Sequence, residues 1–283
     1  MGIVLGANRY GKAENRVVRI FREAERHEIR DLTVSTWLAG DFTDAHVTGD
    51  QTQVLATDTQ KNTAFAYAKE HADGSIEDYA LALAGRLLDA TPAATTAHVE
   101  VEEHAWDRVR IGEHDHDHTF VRRGGELRTA EVDVTADGAV VHGGLRDLVL
   151  LKSTGSEFKG FLRDRYTTLA DADDRILATS LTARWRYAAG RLDWDELYRA
   201  THATMLEAYA GTYSRALQET LYAMGRTVLE RTPEVAEISL VAPNRHHHLV
   251  DLAPFGLENP GEVFIAADRP YGLIEATVTR DDA

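Results

Sequence analysis

The sequence predicts an α+β protein in which a unit of two strands, two helices and two strands (ββααββ) occurs twice in succession. Two observations lead to this prediction: strands and helices follow one another in runs, and the same order returns in the second half of the chain. Such runs are typical of antiparallel sheets that carry helices on one face. The halves share negligible identity, so the repeat rests on element order alone. We place the first unit at residues 1–138 and the second at 139–283.

The first half begins with two segments rich in β-branched and apolar residues, which predict strands at 17–25 and 32–38 around a charged turn. Two helices are predicted next, at 57–69 and 75–88. In the second helix, apolar side chains return at helical spacing: Ile76, Tyr79, Ala80, Leu83 and Leu87. Valines that alternate with acidic residues then predict one strand around Val99 and another around Val132.

The second half repeats this order. Apolar segments predict strands at 145–151 and 177–187, and two apolar stripes predict helices across 194–209 and 217–228. Short strands are then predicted at 238–241, 247–251, 263–266 and 272–278. The edge strands of such sheets need to be covered, and closing a barrel with a second chain is one way to do so.

Composition excludes several classes of function. With 283 residues and a formal net charge of −15, the chain is a poor partner for nucleic acid or an anionic membrane. The absence of cysteine excludes disulfides, thiol catalysis, iron–sulfur clusters and thiolate zinc sites. No signal peptide, no C-terminal Ser-Lys-Leu and no apolar run of the roughly 18 residues in a membrane span is present. We therefore expect a soluble, cytoplasmic protein.

The segment 152–177 predicts a ligand site. Polar and charged residues interrupt every apolar run in it, which makes it a poor core segment, yet it carries Phe158, Phe161, Tyr166 and several arginines, among them Arg175. Aromatic rings and forked guanidinium groups are the residue types that hold a flat, anionic, nitrogen-rich ring. The alternative is a long hairpin loop with solvated charges.

Two further segments carry candidate chemistry. Thr57 begins a predicted helix, and we expect it to be the N-cap, with Gln60 completing a capping box. The same helix N-terminus would suit the edge of an anionic ligand. Near the N-terminus, Tyr10-Gly11-Lys12 offers a lysine that can act as a base only if it is partly desolvated. Its alternative role is that of an ordinary solvated charge.

Two histidine clusters raise the question of a metal. His114, His116 and His118 alternate with acidic residues, and three histidines stand together at 246–248. Neither cluster has the His-Glu-x-x-His arrangement of a helical zinc site, so we expect a polar hairpin turn at 114–118 and no functional metal. Glycine-rich phosphate loops and the Gly-x-Ser-x-Gly elbow are also missing, which leaves no recognisable nicotinamide, flavin or triphosphate site.

Five motifs, taken in order, resemble the urate oxidase (uricase) family: Tyr10-Gly11-Lys12, the segments 56–62 and 152–177, Ala216-Leu217-Gln218, and Asn244-Arg245-His246. The resemblance extends from residue 10 to about residue 278. It implies the tunnelling fold (T-fold), in which two ββααββ units per chain form antiparallel sheets that close into a barrel on oligomerisation. It also implies a homotetramer with active sites at subunit interfaces.

The activity implied by the resemblance is a cofactor-independent oxidation of urate. Urate, dioxygen and water would give 5-hydroxyisourate and hydrogen peroxide. Phe158 would stack on the purine, and Arg175 and Gln218 would hold its opposite polar edges. Leu217 would add backbone hydrogen bonds, and Asn244 would hold dioxygen or water above the ring.

The resemblance places the proton chemistry on other residues. Lys12, Thr57 and His246 would form a relay in which the lysine draws a proton through the threonine hydroxyl and the histidine tunes the lysine. Thr57 and Asp58 would reach the substrate from the neighbouring subunit, Asp58 mainly through its backbone N–H. Because two histidines follow His246, the identity of the relay histidine stays open at this point.

Two rival functions remain. The first is another T-fold enzyme that processes a purine or pterin ring. Some enzymes of this kind use zinc and need clustered ligands. The second is a catalytically silent purine-binding module, which would keep Phe158, Arg175 and Gln218 but would not need Lys12.

Overall fold

The computed structural model describes residues 2–188, 190 and 192–281, apart from the side chain of Asp268. Within these residues it confirms the α+β class and the order ββααββ twice, with two additions, a short helix and a β-hairpin. The strand pairs are antiparallel. No helix of the described residues is long and apolar enough to cross a membrane.

The elements of the first half, in chain order, are β1 (Arg9–Phe21), β2 (Glu28–Gly40), α1 (Thr43–Val47), α2 (Thr57–His71), α3 (Ile76–Asp89), β3 (Ala94–Glu103), β4 (Trp106–Ile111), β5 (His114–Arg122) and β6 (Leu127–Thr135). Those of the second half are β7 (Gly138–Lys152), β8 (Leu177–Tyr187), α4 (Trp194–Gly211), α5 (Leu217–Arg231), β9 (Val235–Leu249), a 3-10 turn (Ala253–Phe255) and β10 (Phe264–Thr279).

The chain forms two compact units, Met1–Gly144 with Ala189–Asp195 and Leu145–Ala188 with Glu196–Ala283. The boundary that we predict at 138/139 concerns the repeat of element order, and it stays a prediction.

In the first unit, the sheet order is β1-β2-β3-β6, followed by β7. Helix α2 packs on β1, and α3 packs on β3 and β6. The predicted stripe from Ile76 to Leu87 is fully buried. Ser75 caps α3, because its hydroxyl accepts a 3.0 Å hydrogen bond from the backbone N–H of Asp78. The valines of β3 face these helices, so the alternating acidic residues lie on the opposite face of the sheet.

In the second unit, β7-β8-β9-β10 follow one another and α5 packs on β9 and β10. Trp185, Met205 and Met224 are among its fully buried side chains. The helix approaches the sheet closely at Gly225, where a Cβ atom would lie 2.6 Å from Cγ2 of Val278. Glycine is therefore needed at this position, although it is a poor helix former.

Several predicted boundaries are wrong. The first strand begins at Arg9 and ends at Phe21, eight residues earlier than predicted at its start. The predicted strands 238–241 and 247–251 are one strand, β9, and those at 263–266 and 272–278 are one strand, β10. A proline interrupts each of these patterns, Pro243 in β9 and Pro270 in β10, and proline is a signal for strand ends.

The polar turn predicted at 114–118 is also wrong. These residues are the first part of β5, which pairs with β4, and the turn between the strands lies at 112–113. Alternating His and Asp resemble a turn in composition, but the backbone is extended. The rings of His116 and His118 are 4.5 Å apart on one side of the strand.

Candidate active site

A cavity of about 270 Å³ in the second unit is the first part of the candidate site. It brings together six of the predicted residues from three of the predicted motifs: Phe158, Arg175, Leu217, Gln218, Asn244 and His246. The remaining predicted residues, Lys12, Thr57 and Asp58, belong to the first unit.

Backbone hydrogen bonds fix Phe158 at the wall of this cavity. Its N–H donates to the carbonyl of Ala172 (2.8 Å), whose N–H donates back to the carbonyl of Phe158 (2.9 Å). Just before it, Glu157 donates to the carbonyl of Ser214, and Ser214 donates to the carbonyl of Gly155. The segment that carries Phe158 is therefore held on two sides, by the chain before Arg175 and by the chain before α5.

Arg175 is a partly buried cation at the wall of this cavity. Its backbone N–H donates to the carbonyl of Ser156 at 2.7 Å, and its guanidinium carbon lies 5.1 Å from the centre of the Phe158 ring. Burial lowers the pKa of Arg175, which nevertheless stays charged. Its Nε is buried without a hydrogen-bond partner, and no carboxylate of the described residues forms an ion pair with it. A positive charge in this state can bind an anion.

Helix α5 begins at the cavity. Leu217 is its first residue and is buried, while the side chain of Gln218 is exposed. The N-cap residue is Ala216, which supplies no side-chain acceptor to the helix. The first N–H groups of α5 therefore remain available to a ligand, next to the positive end of the helix dipole.

Strand β9 supplies Asn244 and His246, which lie two residues apart and so share one face. Asn244 is buried and pairs with Thr179 of β8 and Gly272 of β10. Burial lowers the pKa of His246, and the nearby charges of His248 and Arg175 lower it further. His247 points to the opposite face, so the geometry favours His246 as the histidine of the cavity.

The first-unit residues are positioned by β1, β2 and α2. Lys12 lies opposite Thr36 of β2, just before an irregularity in the pairing. Gly11 permits this pairing, because a Cβ atom there would lie 1.7 Å from the carbonyl oxygen of Thr36. The Thr36 hydroxyl donates a 2.8 Å hydrogen bond to the side chain of Gln60, which ties this part of the sheet to the first turn of α2.

The predicted capping box at Thr57 is wrong. Ala56 is the N-cap, Thr57 is the first helical residue, and neither Ala56 nor Gln60 caps the helix through its side chain. Gln60 is buried instead, where it accepts from Thr36 and donates to the carbonyl of Leu55. The Gln60 amide forms hydrogen bonds with these residues and does not cap the helix, and the Thr57 hydroxyl has no capping role.

Asp58 is exposed, and its carboxylate is already engaged. It accepts hydrogen bonds from Lys61 and, at 3.0 Å, from Asn62. The hydrogen bond and charge of Lys61 lower the pKa of Asp58, and the charge of Lys12 contributes to the same shift. Because its carboxylate is engaged, the backbone N–H of Asp58 is the group left for a ligand.

A second cavity, of about 380 Å³, opens beside Thr57 in the first unit. Tyr10 and Phe42 form part of its wall, and their rings meet edge to face at 4.8 Å. His46 and Gln51 add polar groups.

Sequence reasoning missed the apolar wall of the first cavity, which is formed by Leu169, Ala170, Ala172 and Ile274. Such residues have no chemical signature. The one available signal was that three of them stand between Phe158 and Arg175 in the chain.

The histidine clusters do not form a metal site in the described residues. No three His, Asp or Glu side chains there are placed to hold an ion. Outside these clusters, His98 is held by two carboxylates on the polar face of the first unit's sheet. Its Nδ1 lies 2.8 Å from a carboxylate oxygen of Asp133, and its Nε2 lies 3.1 Å from one of Glu100.

Comparisons with known proteins agree on one family. A family model described as Uricase matches residues 8–133 and 141–275. A uricase from Arthrobacter globiformis is 48% identical over 279 residues, which cover 99% of this chain and 91% of the relative. A uricase from Danio rerio is 38% identical over 277 residues, covering 96% of this chain and 93% of the relative.

Solved structures show the same similarity. The crystal structure of uricase from Arthrobacter globiformis superposes with a TM-score of 0.95 and covers 100% of this chain and 97% of its own. A uricase from Bacillus fastidious, 24% identical, superposes with a TM-score of 0.81 over 97% of this chain and 94% of its own, which shows the fold alone.

Proposed function

The chain belongs to the uricase family, and from that premise we propose how its two groups of site residues oxidise urate. As a member it is a urate oxidase with the tunnelling fold of its solved relatives. The reaction converts urate, dioxygen and water to 5-hydroxyisourate and hydrogen peroxide. Urate gives up two electrons, which reduce dioxygen to peroxide, and the oxygen of water enters the ring as the new hydroxyl.

One observation carries the binding proposal: Arg175 is a partly buried cation with an unpaired Nε in an otherwise largely apolar cavity. An uncompensated buried charge is costly, so such a group is expected where an anion will bind. A purine anion offers an oxygen–nitrogen edge that matches the guanidinium fork.

The other cavity residues fit the remaining surfaces of the ring. Phe158 presents a flat face beside Arg175. Gln218 can donate to and accept from the opposite edge, and the first N–H groups of α5 at Leu217 can bind a carbonyl oxygen. Asn244, on the face shared with His246, would hold dioxygen or water over the ring.

Lys12 and Thr57 would supply the base. In the proposed relay, Lys12 takes a proton from urate through the Thr57 hydroxyl, and His246 accepts a hydrogen bond that keeps the lysine in a competent charge state. The lowered pKa of His246 supports this part, because a neutral imidazole can accept while an imidazolium cannot.

We further propose that the two groups meet between subunits of a homotetramer. Thr57 and Asp58 would enter from the neighbouring subunit, with Asp58 acting through its backbone N–H. The engaged carboxylate of Asp58 supports that role. A cytoplasmic location also stays a prediction.

The proposed chemistry uses no cofactor, because deprotonated urate is itself the electron donor. The chain would supply a base, electrostatic stabilisation of the electron-rich anion and a pocket that excludes bulk water.

A direct experiment tests the activity. Purified protein is treated with a chelator, mixed with urate in air, and followed by urate absorbance and by peroxide. We expect urate loss and peroxide formation in equal amounts, without added metal. Activity that disappears with the chelator and returns with zinc would favour the rival zinc-using enzyme. Binding of urate without loss of absorbance would favour the silent purine-binding module.

A further inference from the structure

We propose that Phe161, backed by Arg163, is a positioning residue that sets the plane of the Phe158 ring. The inference deepens the proposed function and rests on it, because it concerns how the surface under the purine is held. None of the five motif roles described above uses either residue.

The rings of Phe158 and Phe161 form a stacked pair. Their centres lie 5.0 Å apart and their planes differ by 10°. Phe158 lines the cavity, whereas Phe161 stacks on Phe158 and is not itself part of the cavity lining. Near-parallel rings at this separation attract one another, and the attraction depends on their mutual angle. A change in the plane of one ring is therefore opposed by the other.

Arg163 extends the stack by one member. Its guanidinium carbon lies 4.7 Å from the centre of the Phe161 ring. Its two terminal nitrogens are also engaged, one with the carbonyl of Leu169 (3.2 Å) and one with the carboxylate of Asp171 (2.9 Å). Arg163 thus connects the back of the stack to Leu169, which is part of the cavity wall.

The loop between Phe158 and Ala172 needs such a support. Its ends are joined by the two backbone hydrogen bonds described above, and Asp171 also accepts from the N–H of Gly160 at 3.2 Å. These contacts fix the backbone of Phe158 but not its ring torsion. The Phe158 side chain is only partly buried, so core packing does not hold the ring either. The stacked Phe161 ring is an aromatic contact that can, together with the Arg175 guanidinium, whose carbon lies 5.1 Å from the Phe158 ring centre.

The first part of the test compares three single variants. Phe161→Leu removes the ring but keeps an apolar side chain, Phe161→Tyr keeps the ring, and Tyr166→Leu is the matched control. Tyr166 lies in the same loop, is 72% exposed and stacks with Arg165, whose guanidinium carbon is 4.5 Å from its ring, away from the cavity. For each, the Kd of urate is measured by equilibrium titration without oxygen, and KM, kcat and the thermal unfolding midpoint are measured in parallel.

We expect Phe161→Leu to raise the Kd and KM of urate about three- to tenfold, the loss that corresponds to one aromatic stack, with kcat changed less than twofold. Phe161→Tyr should retain wild-type values, and Tyr166→Leu should match the wild type in both constants. Adding Arg163→Gln should weaken binding in the wild type but have a smaller effect in the Phe161→Leu background, since it acts through the missing ring.

Unchanged Kd and KM in Phe161→Leu, or an equal rise in Tyr166→Leu, would overturn the proposal. A fall in the unfolding midpoint with no rescue of Kd by Phe161→Tyr would do the same, because it would indicate a general structural role. Failure of the proposed function would give a different result, because the wild-type protein itself would neither bind nor oxidise urate. There would then be no wild-type Kd or KM with which to compare the variants.

Discussion

At the scale of single residues, the charged side chains of the candidate site differ in whether they have a partner of opposite charge. No carboxylate of the residues that the structure describes forms an ion pair with the Arg175 guanidinium. The Asp58 carboxylate, in contrast, is bound to Lys61 and Asn62, so only the backbone N–H of Asp58 is left for a ligand. The two carboxylates closest in the chain to Arg175 are also engaged elsewhere, Asp174 with Thr154 and Asp173 with Lys159. The neighbouring acidic residues thus leave the guanidinium free for an anion.

Replacing Lys12 with Met should reduce kcat for urate by about 10²–10⁴-fold, the usual contribution of a general base. The Kd of urate, measured without oxygen, should change little, because Lys12 is proposed to move a proton and not to hold the ring. Lys69→Met is the matched control, since Lys69 is exposed in the last turn of α2. Retention of wild-type kcat in Lys12→Met would remove the lysine from the mechanism.

The acid side of the pH–rate profile should depend on His248. Burial and the charges of His248 and Arg175 lower the pKa of His246, so His246 takes up its proton at a lower pH than an ordinary histidine does. Turnover should then decline as His246 takes up its proton. His248→Gln removes one of the lowering charges, which should raise that pKa and move the acid limb of kcat to higher pH.

His247→Gln is the control for this experiment, because its side chain lies on the other face of β9. Urate's own ionisation is the same in every profile and cancels in the comparison. An acid limb that stays in place in His248→Gln, or moves equally in His247→Gln, would contradict the assignment.

At the scale of elements, each strand of the first unit's sheet has two different faces. On β3 the valines face α3, while His98 and Glu100 lie on the other face, where His98 pairs with Asp133 of β6. His98 bridges the two carboxylates and lies beside Trp37 of β2, with ring centres 5.3 Å apart. The hydrogen bonds of Glu100 and Asp133, and their charges, raise the pKa of His98 against the effect of its burial.

This shift predicts a pH-dependent part of the stability. A histidine whose pKa is raised in the folded state stabilises it fully below the unfolded pKa of about 6.5, and the contribution is lost as pH rises through the folded value. His98→Gln should therefore lower the unfolding free energy at pH 5.5, by no more than the roughly 1.5–3 kcal/mol that a hydrogen bond to a charged group contributes. At pH 8.5 the decrease should be clearly smaller.

Denaturant unfolding at fixed protein concentration measures this difference. His71→Gln is the control, since His71 is exposed at the end of α2 and its nearest carboxylate oxygen, in Glu70, is 3.9 Å away. An equal loss at both pH values would mean that the His98 charge does not contribute.

At the scale of the whole molecule, the site residues are divided between the two units: Lys12, Thr57 and Asp58 in the first and the cavity residues in the second. Each group is pre-arranged within its own unit, by the Thr36–Gln60 hydrogen bond in one and by the backbone pairing of Phe158 and Ala172 in the other. In the proposed tetramer, assembly brings one group of each chain to the other group of its neighbour, which would make oligomerisation a condition of activity.

Complementation tests this arrangement. Chains carrying Lys12→Met and chains carrying Arg175→Gln should each be nearly inactive. Co-expressed chains should recover about a quarter of the wild-type activity, because half of random pairs are mixed and one of the two sites in each mixed pair is intact. The control is a single chain that carries both Lys12→Met and Arg175→Gln, expressed alone. No recovery in verified mixed oligomers would place both residues of a site in one chain.

The patterns in the sequence predicted the fold well wherever one face of an element is apolar. The stripe of α3 and the alternation of β3 are read directly, because helices and strands bury residues at different periods. The pattern failed at β9 and β10, where prolines interrupt strands that continue, and at β5, where His and Asp form an exposed strand without an apolar face.

For the candidate site, the sequence by itself determined the residue types that the chemistry needs and, through five ordered motifs, the family to which they point. Only the tertiary structure decided which of them share a cavity, that Gln60 is buried in place of capping α2, and that Arg175 forms no ion pair within the described part of the chain. The physical reason is that a side chain's identity is local, whereas its burial and its partners depend on segments that are far apart in the chain. Phe158, Gln218 and His246 become one surface only after the strands and helices between them have packed.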